Sequence, residues 1–390
     1  MGFDFATPVE RRHPEGGYSS QKWHRYGADI LPLWVADMDF RSPPAVIEAL
    51  ERRVAHGVYG YGEVPETLKK TLCDWSATHY DWPIEAEWQH WLPGVVPALH
   101  FATLALTKPG DAVLTATPIY PPFLAVAERT GRVSQQARLA EPVGPGEPWR
   151  LDLEALEAAI TPETRLLLWC HPHNPTGRVW RHEELEGLAE LVARFDLFVV
   201  SDELHCDLLL EEGAQHRPLA ALFPELARRT ITLWAPSKTF NLAGLSSACA
   251  VIPDATLRQR FVMACKGWLP EVNVLGLVAA DAAYGQGEPW RQALLEVLRG
   301  HRDMLKQCVA RWPGVSLSVP EATYLAWLDV RRANLGDSPY QALKEQAGVA
   351  LSDGAAFGRP GFLRLNFGTT GAELEAALLR LDAVLGPAAQ

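Results

Sequence analysis

Residues 231–245 read ITLWAPSKTFNLAGL. Ile231 to Trp234 form a short apolar run suited to a buried strand, Pro236 and Ser237 turn the chain, and Lys238 sits on that turn. Asn241 to Gly244 then break the pattern before the next apolar run. Open α/β sheets place their ligand crevices at the carboxyl ends of the strands, so a lysine just past a core strand is well placed for chemistry. Partial burial there favours the neutral, nucleophilic amine. A lone lysine is more often a solvated surface charge. What decides between the two is what the rest of the chain brings to the same edge.

Working outward, DAVLTATPIYPPF (111–123), RLLLWCHPHNPTG (165–177) and LFVVSDELHCDL (197–208) each read as an apolar strand running into a polar loop. HEELEGLAELVARF (182–195) is an amphipathic helix with Leu185, Leu188, Leu191, Val192 and Phe195 on one face. WLPGVVPALHFATLAL (91–106) reads as a strand end, a turn at Gly94 and a helix opened by Pro97, with the amides of Val95 and Val96 free to meet an anion. Strands alternating with helices predict an α/β fold with a largely parallel sheet covered on both faces. Beyond residue 285 the strands SLSVP, TYLAWLDV and FLRLNFG follow without βα alternation, which predicts a smaller α+β domain. The expected division is a large domain over 46–285 and a small one formed by 1–45 with 286–390. LPLWVADMDF (31–40) interrupts an apolar run with acids and reads as a connector or a loop lining a cleft.

Composition bounds the function. The 390 residues are 48% hydrophobic and 21% charged, as in ordinary globular proteins. A net charge of −11 gives no electrostatic case for nucleic acid or an anionic membrane. The six scattered cysteines form no CxxC pair, and no stretch reaches eighteen apolar residues, so a cytoplasmic protein with reduced thiols is expected.

Four strand-end loops offer polar groups to one edge: Tyr120, Asn174, Asp202 and Lys238. Each has an ordinary explanation as a loop aromatic, a turn-forming Asn-Pro, a helix cap or a surface lysine. Pyridoxal phosphate explains all four together. The lysine forms a Schiff base with it, the acid pairs with its ring nitrogen, the aromatic stacks on the ring, and the amide reaches the phenolic oxygen. HPH at 171–173 and His205-Cys206 suggest a metal, but no ligand set with suitable spacing completes one.

These residues also carry a resemblance. SDELH, SKTFNLAGL, ATYLAWLD and GVALSDGAAFG together resemble the fold-type I pyridoxal-phosphate enzymes of the aspartate aminotransferase superfamily, and within it the cystathionine β-lyase-like branch of C–S lyases, the MalY/PatB type. The likeness runs from WVADMDF to FLRLNFG. It implies that Lys238 is the catalytic residue bonded to the cofactor, with Asp202 on the ring nitrogen, Asn174 on the phenolic oxygen and Tyr120 on the ring face. His205 falls where the superfamily often has a tyrosine. Val95, Val96 and Ser237 match phosphate contacts, and Arg364 matches the clamp for the substrate carboxylate. Ala36 matches a further substrate contact. Tyr61 matches a tyrosine that reaches the cofactor phosphate and substrate of a neighbouring subunit, which implies a homodimer with shared active sites. Cleft shape around Tyr18, 34–39 and 354–358 sets specificity.

The implied reaction is α,β-elimination from L-cystathionine or a related S-substituted L-cysteine, giving pyruvate, ammonia and a thiol. An aminotransferase is the nearest alternative. Many aminotransferases of the superfamily carry an arginine eight residues after the lysine, where this chain has Ser246, and that departure favours the lyase. A non-catalytic ligand sensor on the same fold is the alternative of another class, and an intact set of Lys238, Asp202 and Arg364 speaks against it.

Overall fold

The computed structural model describes residues 2–12, 20–144 and 146–387. The strands are β1 (Leu31–Pro32), β2 (Gln89–Leu92), β3 (Ala112–Thr117), β4 (Val133–Arg138), β5 (Thr164–Cys170), β6 (Phe198–Asp202), β7 (Thr230–Trp234), β8 (Ala248–Val251), β9 (Ser316–Ser318), β10 (Leu325–Asp329), β11 (Val349–Ala350), β12 (Ser352–Asp353) and β13 (Phe362–Asn366). Seven of them form one sheet in the order β2-β8-β7-β6-β5-β3-β4. Only β8 runs against its neighbours, so the expectation of a mostly parallel sheet holds.

The two-residue period of a strand sends alternate side chains to opposite faces. In β5, Leu166 and Leu168 join Leu99, Phe123 and Phe261 in one core, while Leu167 joins Leu185, Leu188 and Val192 in another. The helices Val95–Leu106, Pro121–Arg129 and Ala255–Cys265 cover the first face, and His182–Arg194 covers the second. With both faces dry, the central strands are buried along their length, as all five residues of β7 are. The helix expected to open at Pro97 starts two residues earlier, at Val95. Gly94, with φ of +153°, turns the chain directly out of β2, and Pro97 still falls in the first helical turn, where its missing N–H costs nothing.

A second, antiparallel sheet has the order β12-β13-β10-β9. The helices Glu288–Val309 and Gly371–Leu385 pack beneath it through Leu294, Leu298, Leu374 and Leu378. From the N-terminal segment, β1 pairs in parallel with β11. Among the described residues no helix is long and apolar enough to cross a membrane.

Candidate active site

Parallel strands end at one edge, and the loops there converge on a cavity of about 330 Å³. Tyr120 follows β3, Asn174 follows β5, Asp202 ends β6 and Lys238 follows β7. All four line the cavity, together with Ala36, Val95, Val96, His205, Ser237 and Arg364. A larger groove of about 560 Å³ lies elsewhere, between residues 141–144 with 146–147 and β9. It contains no lysine, and its Arg331 is tied to Asp329 and Glu141.

The polar groups in the smaller cavity are displaced from their ordinary ionisation. Burial lowers Lys238 to about 8 against the attraction of Asp37, with Arg364 also lowering it and Asp202 raising it. Its Nζ donates to the carbonyl of Ala36 at 2.5 Å. Burial raises Asp202 to about 7, partly offset by the Leu204 amide that donates to Oδ1 at 3.1 Å, while Glu203 pushes it up and Lys238 pulls it down. His205 is lowered to about 3 by burial and by Lys238 and Arg364. Its Nδ1 is buried without a partner. Several shifted groups in one cleft are what a reaction centre requires.

Arg364 projects from β13 and is lowered to about 10 by burial. Its Nη1 donates to Asn174 Oδ1 at 3.0 Å, its Nη2 donates to the Trp34 carbonyl at 3.1 Å, and its Nε has no partner. The guanidinium also lies 4.7 Å above the Phe357 ring. With Oδ1 of Asn174 engaged, the amide nitrogen is the group left to donate to a ligand.

The residues present fit pyridoxal phosphate. A half-buried lysine and a buried carboxylate share a cavity with orphaned buried atoms at His205 Nδ1 and Ser247 Oγ. At one end, the cavity is lined by Gly94, Val95 and Val96 at the start of a twelve-residue helix, where uncompleted backbone amides favour an anion. Ser237, Ser246 and Ser247 line the same cavity.

Residues 34–40 form a strap over the lysine. Asn241 receives the Met38 amide at 3.1 Å and donates to the Met38 and Phe40 carbonyls, and Asn366 donates to the Val35 and Asp37 carbonyls. Tyr324 donates to the same Ala36 carbonyl that accepts from Lys238. At the strap's end, Asp39 accepts from Lys22 Nζ at 2.7 Å and Trp23 Nε1 at 2.8 Å, with both members of the ion pair 1% exposed. Asp39→Ala leaves a buried ammonium unpaired, and a loss of about 3 kcal/mol in chemical denaturation is expected. An unchanged denaturation midpoint would show that the pair does not anchor the strap.

The structure separates some residues that the sequence grouped. Tyr61 is fully exposed and does not line this cavity. Of 34–39, Val35 and Ala36 line it. Of 354–358, Phe357 reaches it only through Arg364. Tyr18 lies outside the described residues. Sequence reasoning missed Ser247, Tyr324, Asn241 and Asn366. Tyr324 stood inside the quoted motif ATYLAWLD, and Asn241 three residues past the lysine, so position was the available signal.

The aminotransferase class I and II family model matches residues 28–381. The chain is 37% identical to the cystathionine beta-lyase PatB of Bacillus subtilis over 387 residues, covering 96% of this chain and 99% of that one. A solved structure of OvoB is 43% identical with a TM-score of 0.93, covering 98% of this chain and 99% of that one. Cystalysin from Treponema denticola, solved with pyridoxal 5'-phosphate, is 32% identical with a TM-score of 0.91 and covers 99% of both chains. A lysine, an acid, an amide and an arginine gathered at the edge of a mostly parallel sheet, within a match spanning nearly the whole sequence, place this chain in the aminotransferase class I and II family.

Proposed function

We propose that this chain is a pyridoxal-phosphate-dependent C–S β-lyase that cleaves L-cystathionine or a related S-substituted L-cysteine to pyruvate, ammonia and a thiol. The observation that carries the reading is the single cavity holding Lys238, Asp202, Asn174 and Arg364. The names of its relatives support it, since PatB is a cystathionine beta-lyase and a Staphylococcus hominis neighbour is a pyridoxal-phosphate-bound C–S lyase.

Bound in this cavity, pyridoxal phosphate supplies an electron sink for the charge left at the substrate's Cα. The chain supplies the rest. Lys238 holds the cofactor until substrate arrives, and its amine, lowered to about 8, then accepts the Cα proton. Asp202 would hold a proton at the ring nitrogen, and Tyr120, which lines the same cavity, would stack on the ring. Arg364 takes the α-carboxylate through its fork, with Asn174 fixing its Nη1 side. The helix start at Val95 and Val96, with Ser237, would seat the phosphate, and His205 would face the phenolic oxygen. Loss of the Cβ thiolate completes the elimination, and water converts the three-carbon product to pyruvate and ammonia.

L-cystathionine incubated with the protein and no 2-oxo acid tests the reading. Pyruvate and homocysteine should accumulate over many turnovers. A reaction that stops after one half-turnover and resumes on adding a 2-oxo acid would establish an aminotransferase instead. We also propose a cytoplasmic homodimer in which Tyr61, fully exposed here, enters the partner's site. Sedimentation should give twice the 43.1 kDa chain mass, and Tyr61→Ala should weaken cofactor retention. A fully active monomer would contradict that arrangement. The division into domains at 46–285 and at 1–45 with 286–390 belongs to the same proposal.

A further inference from the structure

The residue after Asp202 is also an acid. Alternation along the extended chain turns Asp202 into the cavity and Glu203 into the interior behind it, where none of its surface is exposed. A buried carboxylate is costly unless its oxygens are hydrogen-bonded. Here Oε1 accepts from Ser201 Oγ at 2.8 Å and the Leu219 amide at 3.2 Å, and Oε2 accepts from His216 Nε2 at 2.8 Å and Trp234 Nε1 at 3.2 Å. None of these donors is a lysine or arginine, so the charge is solvated by the protein without a permanent cation beside it. His216 is itself buried, its ring 4.7 Å from that of His171, and its Nδ1 has no hydrogen-bond partner. Every donor holding Glu203 belongs to β6, to β7 just before the Lys238 turn, or to the segment 216–219.

We propose that Glu203, held by His216, is a positioning residue: a fixed buried negative charge directly behind Asp202 that strengthens Asp202's hold on the protonated ring nitrogen of the cofactor. Glu203 never touches the ligand and acts only through Asp202. The geometry supports this because a structural plug at this position would be met by an apolar side chain, whereas a fully hydrogen-bonded carboxylate one residue from a second acid costs desolvation and like-charge repulsion. That repulsion favours a state in which Asp202 is paired with a cation. The only cationic lysine and arginine side chains lining the cavity among the described residues are Lys238 and Arg364. The ring nitrogen completes the balance on the Asp202 side.

The inference rests on the pyridoxal-phosphate reading, and its test separates the two. The chain stripped of cofactor is titrated, by absorbance, with pyridoxal phosphate and with the analogue that has carbon in place of the ring nitrogen. The wild-type chain should prefer pyridoxal phosphate. In Glu203→Gln that preference should fall about tenfold, one pKa unit of lost support for the ring proton, while affinity for the analogue changes little. His216→Phe, which removes a donor from Oε2, should reduce the preference in the same direction and serves if the first variant does not fold. Equal losses for both compounds would mean that Glu203 only supports the fold and would overturn the proposal, as would an unchanged preference. A wild-type chain that binds neither compound would overturn the cofactor reading, and this role with it.

Discussion

Lys238→Ala should lose at least about 10⁴-fold in turnover, because one side chain supplies both the attachment of the cofactor and the base for the Cα proton. The substitution removes a half-buried side chain whose described hydrogen bond is to the Ala36 carbonyl, so the fold should survive it. Tyr324 continues to donate to that carbonyl, and Asn241 and Asn366 continue to hold the strap. The lysine's environment also sets a pH signature. A lysine captures an aldehyde only as the neutral amine, and burial lowers Lys238 from 10.5 to about 8. The rate at which cofactor-free protein takes up pyridoxal phosphate should therefore rise with pH to about 8 and level off above it. A rate that continued to climb to about 10.5 would mark an ordinary solvated lysine at the site of capture.

Asp202→Asn should cost roughly 10²- to 10³-fold in turnover, the usual size of a lost preorganised electrostatic contact. Asparagine keeps the shape and can still accept from the Leu204 amide, but it carries no charge to hold a proton at the ring nitrogen. Burial holds Asp202 at about 7, so the carboxylate is costly to the folded chain without its ligand. The sign follows directly. Because its folded value lies above 3.8, ionising Asp202 penalises the cofactor-free fold as pH rises through about 7, and the variant escapes that penalty. Cofactor-free Asp202→Asn should therefore melt no lower than wild type at pH 8 while turning over far more slowly when loaded. A variant that lost activity and stability together would assign Asp202 to the fold.

The sheet was legible because its central strands β5, β6 and β7 are mostly apolar and end in polar loops, as strands buried on both faces tend to. The four strand-end residues followed from topology, since parallel strands deliver their ends to one edge. The helix Val274–Gln286 gave no comparable signal: Gly276, Leu277, Ala279, Ala280, Ala282 and Ala283 are all buried, so it lacks the polar face that makes a helical period visible. Contacts that join distant parts of the chain were invisible for another reason. Arg364 meets Asn174, and Lys238 meets the Ala36 carbonyl, through packing of the two sheets and the strap that no local pattern encodes. Glu203 was hidden by its neighbour, since an acid beside an acid reads as a polar turn until burial shows one side chain in the cavity and the other behind it.

The central claim is that this cavity holds pyridoxal phosphate on Lys238. Sodium borohydride fixes the cofactor irreversibly to any lysine bonded to it, and peptide mapping then locates the added mass. The account predicts one modified peptide, spanning Lys238, with the visible absorbance lost in proportion to its yield. A cofactor fixed to another lysine, or a protein loaded with pyridoxal phosphate that leaves Lys238 unmodified, would contradict it.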